Sequence, residues 1–173
     1  MIALVGLPGA GKSTVGKQLA RRLSLPFVDS DSAIEERLGC SIREYFELEG
    51  EAKFRDVEES VIAEIVRDHR GVLSTGGGSV LRQTNRHLLR DSCYVVYLKS
   101  TPDELFRRLR HDVNRPLLQV ADPLTRLRDL FQARDHLYKE TAHFVVETGR
   151  PSVGSLVNTI MTQFDLSGIL PSR

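Results

Sequence analysis

The sequence predicts an α/β fold, with a mostly parallel β-sheet sandwiched between helices. Three observations support this prediction. Short apolar runs of strand length alternate with segments of helical spacing along all 173 residues, as in repeated strand–helix units. The first apolar run ends at a glycine-rich loop that leads directly into a helix. The length suits one domain, residues 1–173, and no internal repeat divides it.

Each predicted element has a local signal. The strands predicted from apolar runs lie at 2–5, 26–31, 72–75, 94–98 and 143–148. The helices predicted from 3.6-residue spacing begin near residues 12, 32, 41, 51, 102, 123 and 152. Ser32 with Glu35 and Ser41 with Glu44 form capping boxes at two helix starts. Gly71 is expected to close the long helix that precedes it.

Composition and charge argue against several classes of protein. A net charge of +1 gives no general attraction to nucleic acid or membranes. Cys40 and Cys93 stand far apart, so neither a disulfide framework nor structural zinc is expected. The apolar stretch 93–98 is too short to span a bilayer, and residues 1–5 lack the basic start of a secretory signal. The sequence therefore predicts a soluble protein of the reducing cytoplasm.

The stretch "GLPGAGKST", residues 6–14, is the strongest single motif, and it is called the phosphate loop below. It fits G-x-x-x-x-G-K-[ST] at Gly6, Gly11, Lys12 and Ser13, between a predicted strand and a predicted helix. Such a turn directs backbone N–H groups at an anion, and the following helix adds its positive end. Lys12 is expected to neutralise the outer phosphates and the Ser13 hydroxyl to ligate Mg²⁺. The motif predicts nucleoside triphosphate binding.

Other features narrow the class of nucleotide-binding protein. No N-K-x-D tetrapeptide for guanine occurs, so a GTPase switch is not expected. Motor-type ATPases usually end a buried strand with an acid that holds Mg²⁺, but the runs "VLST" and "VVYL" lead to Thr75 and Lys99. The histidines and serines show neither H-E-x-x-H nor G-x-S-x-G, which argues against metalloproteases and esterases. The acid that serves the metal must come from another strand.

Two aspartates end the second predicted strand. Asp29 and Asp31 flank Ser30, and strand alternation would point both carboxylates the same way. Helix capping is the alternative, but Ser32 with Glu35 already offers a cap, so a functional role is favoured. Because ligands gather at the carboxyl ends of parallel strands, Asp29 is expected to orient Mg²⁺ waters and Asp31 to meet an acceptor hydroxyl.

Two arginines differ in what their spacing implies. Arg55 has Glu58 three residues later, and spacing alone favours a surface ion pair. Arg134 interrupts the apolar stripe of the helix predicted at 123–139, where a charge needs either a buried partner or a ligand carboxylate. Both alternatives stay open for Arg134, with ligand binding favoured.

The segment "TGGG", residues 75–78, is called the glycine loop. Three consecutive glycines are best explained where a ligand approaches the main chain, although a loose turn is the alternative. The basic stretch 107–116 is either a solvated face or a lid whose arginine stabilises the transferring phosphoryl group. Arg115 is the choice for that role, with Arg108 or Arg110 as helpers.

Six motifs together resemble shikimate kinase in order and spacing over nearly the whole chain: "GLPGAGKST", "DSD", "FRDVE", "TGGG", "RPLL" (115–118) and "RDHLY" (134–138). The resemblance implies a three-layer α/β/α P-loop fold like that of nucleoside monophosphate kinases, with a five-stranded parallel sheet and a lid. It implies a substrate-binding region at about 31–60 and the lid at about 108–121. The implied reaction converts ATP and shikimate to ADP and 3-phosphoshikimate, toward chorismate and the aromatic amino acids.

The resemblance also implies residue roles. ATP contacts are expected at Gly9, Ala10, Gly11, Lys12, Ser13, Thr14, Arg115 and Arg150. Shikimate contacts are expected at Asp31, Arg55, Gly77 and Arg134, where the two arginines clamp the carboxylate and Glu58 steadies Arg55. Mg²⁺ is expected on Ser13, with Asp29 in its outer shell, and the catalytic residues are Lys12, Asp31 and Arg115. A monomer that binds ATP and shikimate, but neither nucleic acid nor membrane, is expected.

Two other functions remain alternatives. A gluconate kinase would share the phosphate loop and the fold, but it is not expected to share the series "DSD", "FRDVE" and "TGGG". A regulatory module that hydrolyses ATP only to change partners belongs to a different class. Strong ATP turnover without an acceptor would favour that module.

Overall fold

The computed structural model describes residues 1–110 and 119–169 and contains a five-stranded sheet flanked by helices. The strands are β1 (Ile2–Val5), β2 (Phe27–Asp29), β3 (Val72–Ser74), β4 (Tyr94–Lys99) and β5 (Phe144–Glu147). The helices are α1 (Lys12–Leu23), α2 (Ser30–Leu38), α3 (Ile42–Glu49), α4 (Glu51–Asp68), α5 (Gln83–Ser92), α6 (Pro102–Leu109), α7 (Pro123–Thr141) and α8 (Val153–Leu166). The alternation predicted from the sequence is confirmed.

All pairings in the sheet are parallel, in the order β2-β3-β1-β4-β5. Strand β1 lies at the centre, where Ile2 pairs with both Val72 and Tyr94. The chain moves to one side of β1 for β2 and β3 and to the other side for β4 and β5. This reversal leaves a crevice beside the carboxyl end of β1, the usual ligand position in such sheets.

The central strands form the core because both of their faces are covered. Residues 3–5 of β1 and residues 95–98 of β4 are fully buried, which explains why these strands are continuous apolar runs. Helices α1 and α8 contact each other, whereas α4, α5, α7 and α6 contact one another in series, so the helices form separate groups around the sheet. In the described ranges, no helix combines the length and apolar character needed to cross a bilayer.

One boundary prediction is wrong and bears on the site. Strand β2 ends at Asp29, and Asp31 lies in the first turn of α2 rather than on a strand. The cap of α2 is not Ser32 with Glu35 but Asp29, whose Oδ1 accepts the N–H groups of Asp31 (3.0 Å) and Ser32 (3.2 Å). As the last residue of β2, Asp29 has the extended backbone that an N-cap needs. Strand alternation therefore does not explain where the two aspartates point.

Of the other helix predictions, one is confirmed and one is wrong, and one helix was not predicted. The capping box of Ser41 and Glu44 is confirmed at α3. Gly71 does not close α4, which ends at Asp68; it packs against the chain before β2, where a Cβ would overlap the carbonyl oxygen of Pro26. Helix α5 has no counterpart among the predicted elements, because its only apolar side chains are the neighbouring Leu88 and Leu89, too few to show a helical repeat in the sequence.

Candidate active site

The phosphate loop joins β1 to α1 and curls around a lysine. Gly9 and Gly11 have φ values of 84° and 92°, which glycine adopts without strain. Gly11 is the N-cap of α1, so the loop ends at the unpaired N–H groups of a helix start. The buried Lys12 ammonium donates to the carbonyl oxygens of Gly6 (2.7 Å) and Leu7 (2.9 Å). Backbone donors and a fixed positive charge therefore occupy one end of the crevice.

Three side chains at the start of α1 and the ends of β2 and β3 form a small cluster of oxygens. The Ser13 hydroxyl donates to Asp29 Oδ2 at 2.6 Å and lies 3.2 Å from Ser74 Oγ. Hydroxyl and carboxylate oxygens are the donors that Mg²⁺ prefers, usually one or two from protein with the rest from water and phosphates. In the part of the chain that the structure describes, no group of three or more His, Cys, Asp or Glu gathers as a metal cage. The cluster fits a metal that is shared with a nucleotide.

A cavity of about 460 Å³ opens at the carboxyl ends of the strands. It is lined by the phosphate loop, by Asp29 and Asp31, by residues 74–77, and by Arg108 and Leu109. Its size is that of a small-molecule site. The phosphate loop, the aspartate pair and most of the glycine loop therefore face one space.

The first glycine of the glycine loop lies against two carboxylates. Gly76 donates its N–H to Ser30 Oγ at 3.1 Å. A Cβ at Gly76 would lie 2.6 Å from Asp31 Oδ1 and 3.3 Å from Glu58 Oε2. Only glycine leaves room for both oxygens, because real Cβ atoms do not approach other atoms so closely.

The next two glycines meet different partners. A Cβ at Gly77 would lie 2.6 Å from Cδ of Pro8 in the phosphate loop. At Gly78 it would lie 2.7 Å from Cζ of Arg55. The glycine loop therefore lets the phosphate loop and the Arg55 guanidinium approach one stretch of main chain, which a loose turn would not require.

Arg55 is held inside the protein rather than on its surface. The ion pair with Glu58 that the spacing favours is present, but its predicted surface location is wrong, because the Arg55 side chain is only 12% exposed. Nη1 donates to Glu58 Oε1 at 2.8 Å, and Nη2 reaches Glu51 at 3.3 Å. The guanidinium lies 5.2 Å from the Phe54 ring centroid and 5.8 Å from that of Phe46, a cation–π arrangement. Nε is buried without an acceptor in the described residues.

Burial also perturbs the two carboxyl groups beside the glycine loop. Burial, reinforced by the negative charges of Asp29 and Glu58 and opposed by the positive charge of Lys12, raises the pKa of Asp31 to about 6. Burial raises the pKa of Glu58 as well, against the lowering effect of Arg55 and, less, of Arg134. Perturbed carboxyl groups in a cleft are typical of catalytic and binding sites.

Arg134 lies in the same neighbourhood as Arg55. It is half-buried on α7. Burial raises the pKa of Tyr138 to about 12, while the charges of Arg134 and Arg55 lower it. The Tyr138 hydroxyl donates to the carbonyl oxygen of Gly77 at 2.6 Å. Both arginines therefore lie within electrostatic range of Tyr138 and Glu58, the two side chains that flank the glycine loop.

Arg108 connects the phosphate loop with the end of β5. Nη1 donates to the carbonyl oxygen of Gly9 and Nη2 to that of Thr148, each at 3.2 Å. Arg150 follows Thr148 by two residues and is exposed. Arg108, one of the two helper arginines left open by the sequence, is thus held against the phosphate loop.

The lid predicted at about 108–121 is described only at its ends. Residues 111–118 lie outside the described residues, and Arg115 is among them. The role predicted for Arg115 stays a prediction.

Sequence reasoning missed several side chains of the site. The apolar run at 72–75 predicts a strand that includes Ser74, but no site role for its side chain. A polar residue at the carboxyl end of a parallel strand is nevertheless a signal for a binding site. Ser30, whose hydroxyl accepts the N–H of Gly76, has no signal of its own in the sequence beside Asp29 and Asp31. Tyr138 fits the apolar stripe of α7, and helical spacing does not indicate whether its hydroxyl has a partner. The tilted rings of Phe46 and Phe54 pack against each other with centroids 4.6 Å apart, a contact between two helices that spacing does not predict.

Comparisons with known proteins agree on one family. The model of the shikimate kinase family matches residues 8–165. The shikimate kinase of Paracidovorax citrulli is 56% identical over 173 residues, covering 98% of this chain and 94% of the relative, and that of Burkholderia pseudomallei is 54% identical over 169 residues, covering 98% and 92%. A shikimate kinase from Acinetobacter baumannii, solved in complex with shikimate, superimposes with a TM-score of 0.89 at 44% identity, covering 98% of this chain and 94% of that one.

The raised pKa of Asp31 predicts that this residue lowers stability near neutral pH. Since its folded pKa of about 6 exceeds the ordinary value of 3.8, the cost of ionising it in the fold is absent below pH ~4 and grows as the pH rises through 6. Asp31→Asn should therefore raise the free energy of unfolding by about 1–3 kcal/mol at pH 8. Urea unfolding at pH 8 and at pH 4.5 measures the difference.

At pH 4.5 the gain from Asp31→Asn should fall to about a third of its value at pH 8, because the carboxyl of the unfolded chain is already mostly ionised there while that of the folded chain is still protonated. Glu36→Gln, which replaces an exposed carboxylate on the same helix, is the matched control and should have little effect at either pH. An equal gain at both pH values, or a loss of stability at pH 8, contradicts the prediction.

Proposed function

Since this chain belongs to the shikimate kinase family, we propose that its crevice binds ATP in the phosphate loop and shikimate beside the glycine loop, between Asp31, Arg55 and Arg134. The chain is a kinase that transfers a phosphoryl group from ATP to shikimate, giving 3-phosphoshikimate, a step in aromatic amino acid biosynthesis. One observation carries the proposed site: the glycine loop is contacted at once by Asp31, by Arg55 and by the phosphate loop.

The phosphate loop is the proposed site of the ATP phosphates. Residues 9–14 supply the backbone donors, and Lys12 supplies the charge that stabilises the phosphates as negative charge shifts toward ADP. The position of Arg108 against Gly9 supports a role at the nucleotide side of the cavity. Arg150 is proposed for the adenine side, and Arg115 for the transferring phosphoryl group.

Mg²⁺ is the proposed cofactor, with Ser13 as ligand and Asp29 in the outer shell. The support is the chemistry of the donor set: a hydroxyl and a carboxylate in contact at 2.6 Å, beside the phosphate loop. When bound, the metal neutralises phosphate charge during transfer. Asp29 has a second task, since its other oxygen caps α2 and so fixes the helix that carries Asp31.

Arg55 and Arg134 are the proposed clamp for the carboxylate of shikimate. The two guanidinium groups act on one buried carboxylate, Glu58, with the exposed Glu51 at 3.3 Å from Arg55. A substrate carboxylate would balance the second positive charge. The Arg55 Nε, buried without an acceptor in the described residues, supports the same conclusion, because an unpaired buried donor is costly. Glu58 and the flanking aromatic rings fix the orientation of Arg55.

Asp31 is the proposed base for the attacking hydroxyl. A bond forms between the hydroxyl oxygen of shikimate and the γ-phosphorus, the bond from that phosphorus to the β–γ bridging oxygen breaks, and the proton passes to Asp31. With a pKa of about 6, the Asp31 carboxylate is mostly ionised at pH 7. Because this pKa is close to the ambient pH, the carboxylate also accepts a proton more readily than an ordinary aspartate. Gly77, whose main chain lies between Pro8 and Tyr138, is the proposed contact for the ring of shikimate.

The remaining expectations stay predictions. They are the cytoplasmic location, the monomeric state, the lack of nucleic-acid or membrane partners, and the single-domain division with its substrate region at about 31–60. Nothing in the described residues favours gluconate over shikimate or a regulatory module over an enzyme. The next experiment separates these alternatives.

The acceptor is identified by ADP release measured with MgATP and, in parallel, shikimate, gluconate, a set of nucleoside monophosphates, or no acceptor. We expect rapid ADP release with shikimate alone, because only that acceptor combines a carboxylate with ring hydroxyls. Faster release with gluconate would contradict the proposal. Equal release with and without acceptors would instead favour the regulatory module.

The clamp predicts the effect of removing Arg134. Arg134→Ala should weaken shikimate binding by about 2–5 kcal/mol, since one side of a desolvated charge pair is lost, while the KM for ATP changes little. Steady-state kinetics at varied shikimate measure the effect. Arg126→Ala, which removes an exposed arginine two turns earlier on α7, is the control and should leave the KM unchanged. An unchanged KM for shikimate in Arg134→Ala would refute the role.

A further inference from the structure

Tyr138 is a buried side chain to which the proposed reaction gives no role. It is fully buried on α7. Its hydroxyl donates to the carbonyl oxygen of Gly77 at 2.6 Å. On its other side, Gly77 lies against the Pro8 ring, so the glycine loop is held between a phosphate-loop residue and a tyrosine of α7. The hydrogen bond thus joins two elements that both carry proposed substrate contacts.

The ring of Tyr138 is itself firmly placed. Its centroid lies 5.0 Å from that of Tyr97 on β4. The Tyr97 hydroxyl donates to Asp135 Oδ1 at 2.8 Å, and the other oxygen of Asp135 pairs with Lys139 at 2.7 Å. These contacts bind α7 to the sheet within the same turn that carries Tyr138. The position of the Tyr138 hydroxyl is therefore set by contacts in the core and not by the glycine loop.

The spacing along α7 connects this hydrogen bond to the substrate clamp. Arg134 precedes Tyr138 by four residues, so the two side chains lie on the same face of the helix. The charge of Arg134 acts on the Tyr138 hydroxyl. Burial keeps the pKa of Tyr138 at about 12, so the hydroxyl keeps its proton and donates throughout the physiological range. Tyr138 thus links Gly77, through its hydrogen bond, to the helix that carries Arg134.

We infer that Tyr138 is a positioning residue for shikimate: its hydroxyl holds the glycine loop at a fixed place relative to Arg134, so that both contact the substrate together. The inference rests on the proposed function. It differs from a purely structural role, which would lower stability without a selective effect on one substrate. Loss of the hydroxyl frees the Gly77 carbonyl and lets the loop move, while ATP contacts in the phosphate loop are kept.

Tyr138→Phe tests the inference because it removes one oxygen and keeps the ring. We expect the KM for shikimate to rise about 5- to 30-fold, as for a lost buried hydrogen bond, with kcat and the KM for ATP within about threefold of wild type. Amide hydrogen exchange over 75–79 should be faster in the variant. Tyr94→Phe, which removes a tyrosine hydroxyl at the amino-terminal end of β4, at the opposite end of the strand from the glycine loop, is the matched control and should leave the KM for shikimate within about twofold.

Three results would overturn the inference: an unchanged KM for shikimate in Tyr138→Phe, an equal rise in Tyr94→Phe, or a parallel rise in the KM for ATP. Calorimetric titration of shikimate at low temperature gives the same comparison if Tyr138→Phe is less stable than wild type. Turnover of the wild-type chain with shikimate tests the proposed function separately, since it does not depend on any change at Tyr138.

Discussion

The close approach of side chains to the main chain of the glycine loop is the constraint on which the site depends. Asp31, Arg55 and Pro8 each occupy the space that a Cβ would fill at Gly76, Gly78 and Gly77. Three parts of the molecule that are distant in sequence therefore converge on four residues. Without glycine at these positions, the aspartate, the arginine and the phosphate loop would be forced apart, and a small substrate would no longer reach all three.

This convergence places several charges where water is scarce. Asp31 and Glu58 both have raised pKa values because they are buried, and only part of their charge is offset by Lys12 and the two arginines. Arg55 keeps a buried N–H without an acceptor in the described residues. Such groups lower the stability of the free protein, and a bound carboxylate with hydroxyls relieves much of that cost. Substrate binding and local stability are thus linked through the same side chains.

The sequence predicted the strand–helix alternation, the phosphate loop and the glycine loop, because these depend on local spacing and on residues with special backbone properties. It misassigned the start of α2, since Asp29 and Ser32 are equally good caps and only the end of the strand decides between them. It missed helix α5, which has only two apolar residues, and the Tyr138 hydroxyl, because the ring of Tyr138 fits the apolar stripe of α7. Contacts that depend on how helices cross have no signal in spacing alone.

A crystal structure of the chain with shikimate, ADP and Mg²⁺ tests the central claim most directly. We expect the shikimate carboxylate at about 3 Å from nitrogens of both Arg55 and Arg134. We also expect a ring hydroxyl of shikimate at hydrogen-bond distance from Asp31, facing the nucleotide phosphates. An ordered shikimate whose carboxylate is turned away from both arginines, or which lies outside the crevice beside the glycine loop, would contradict it.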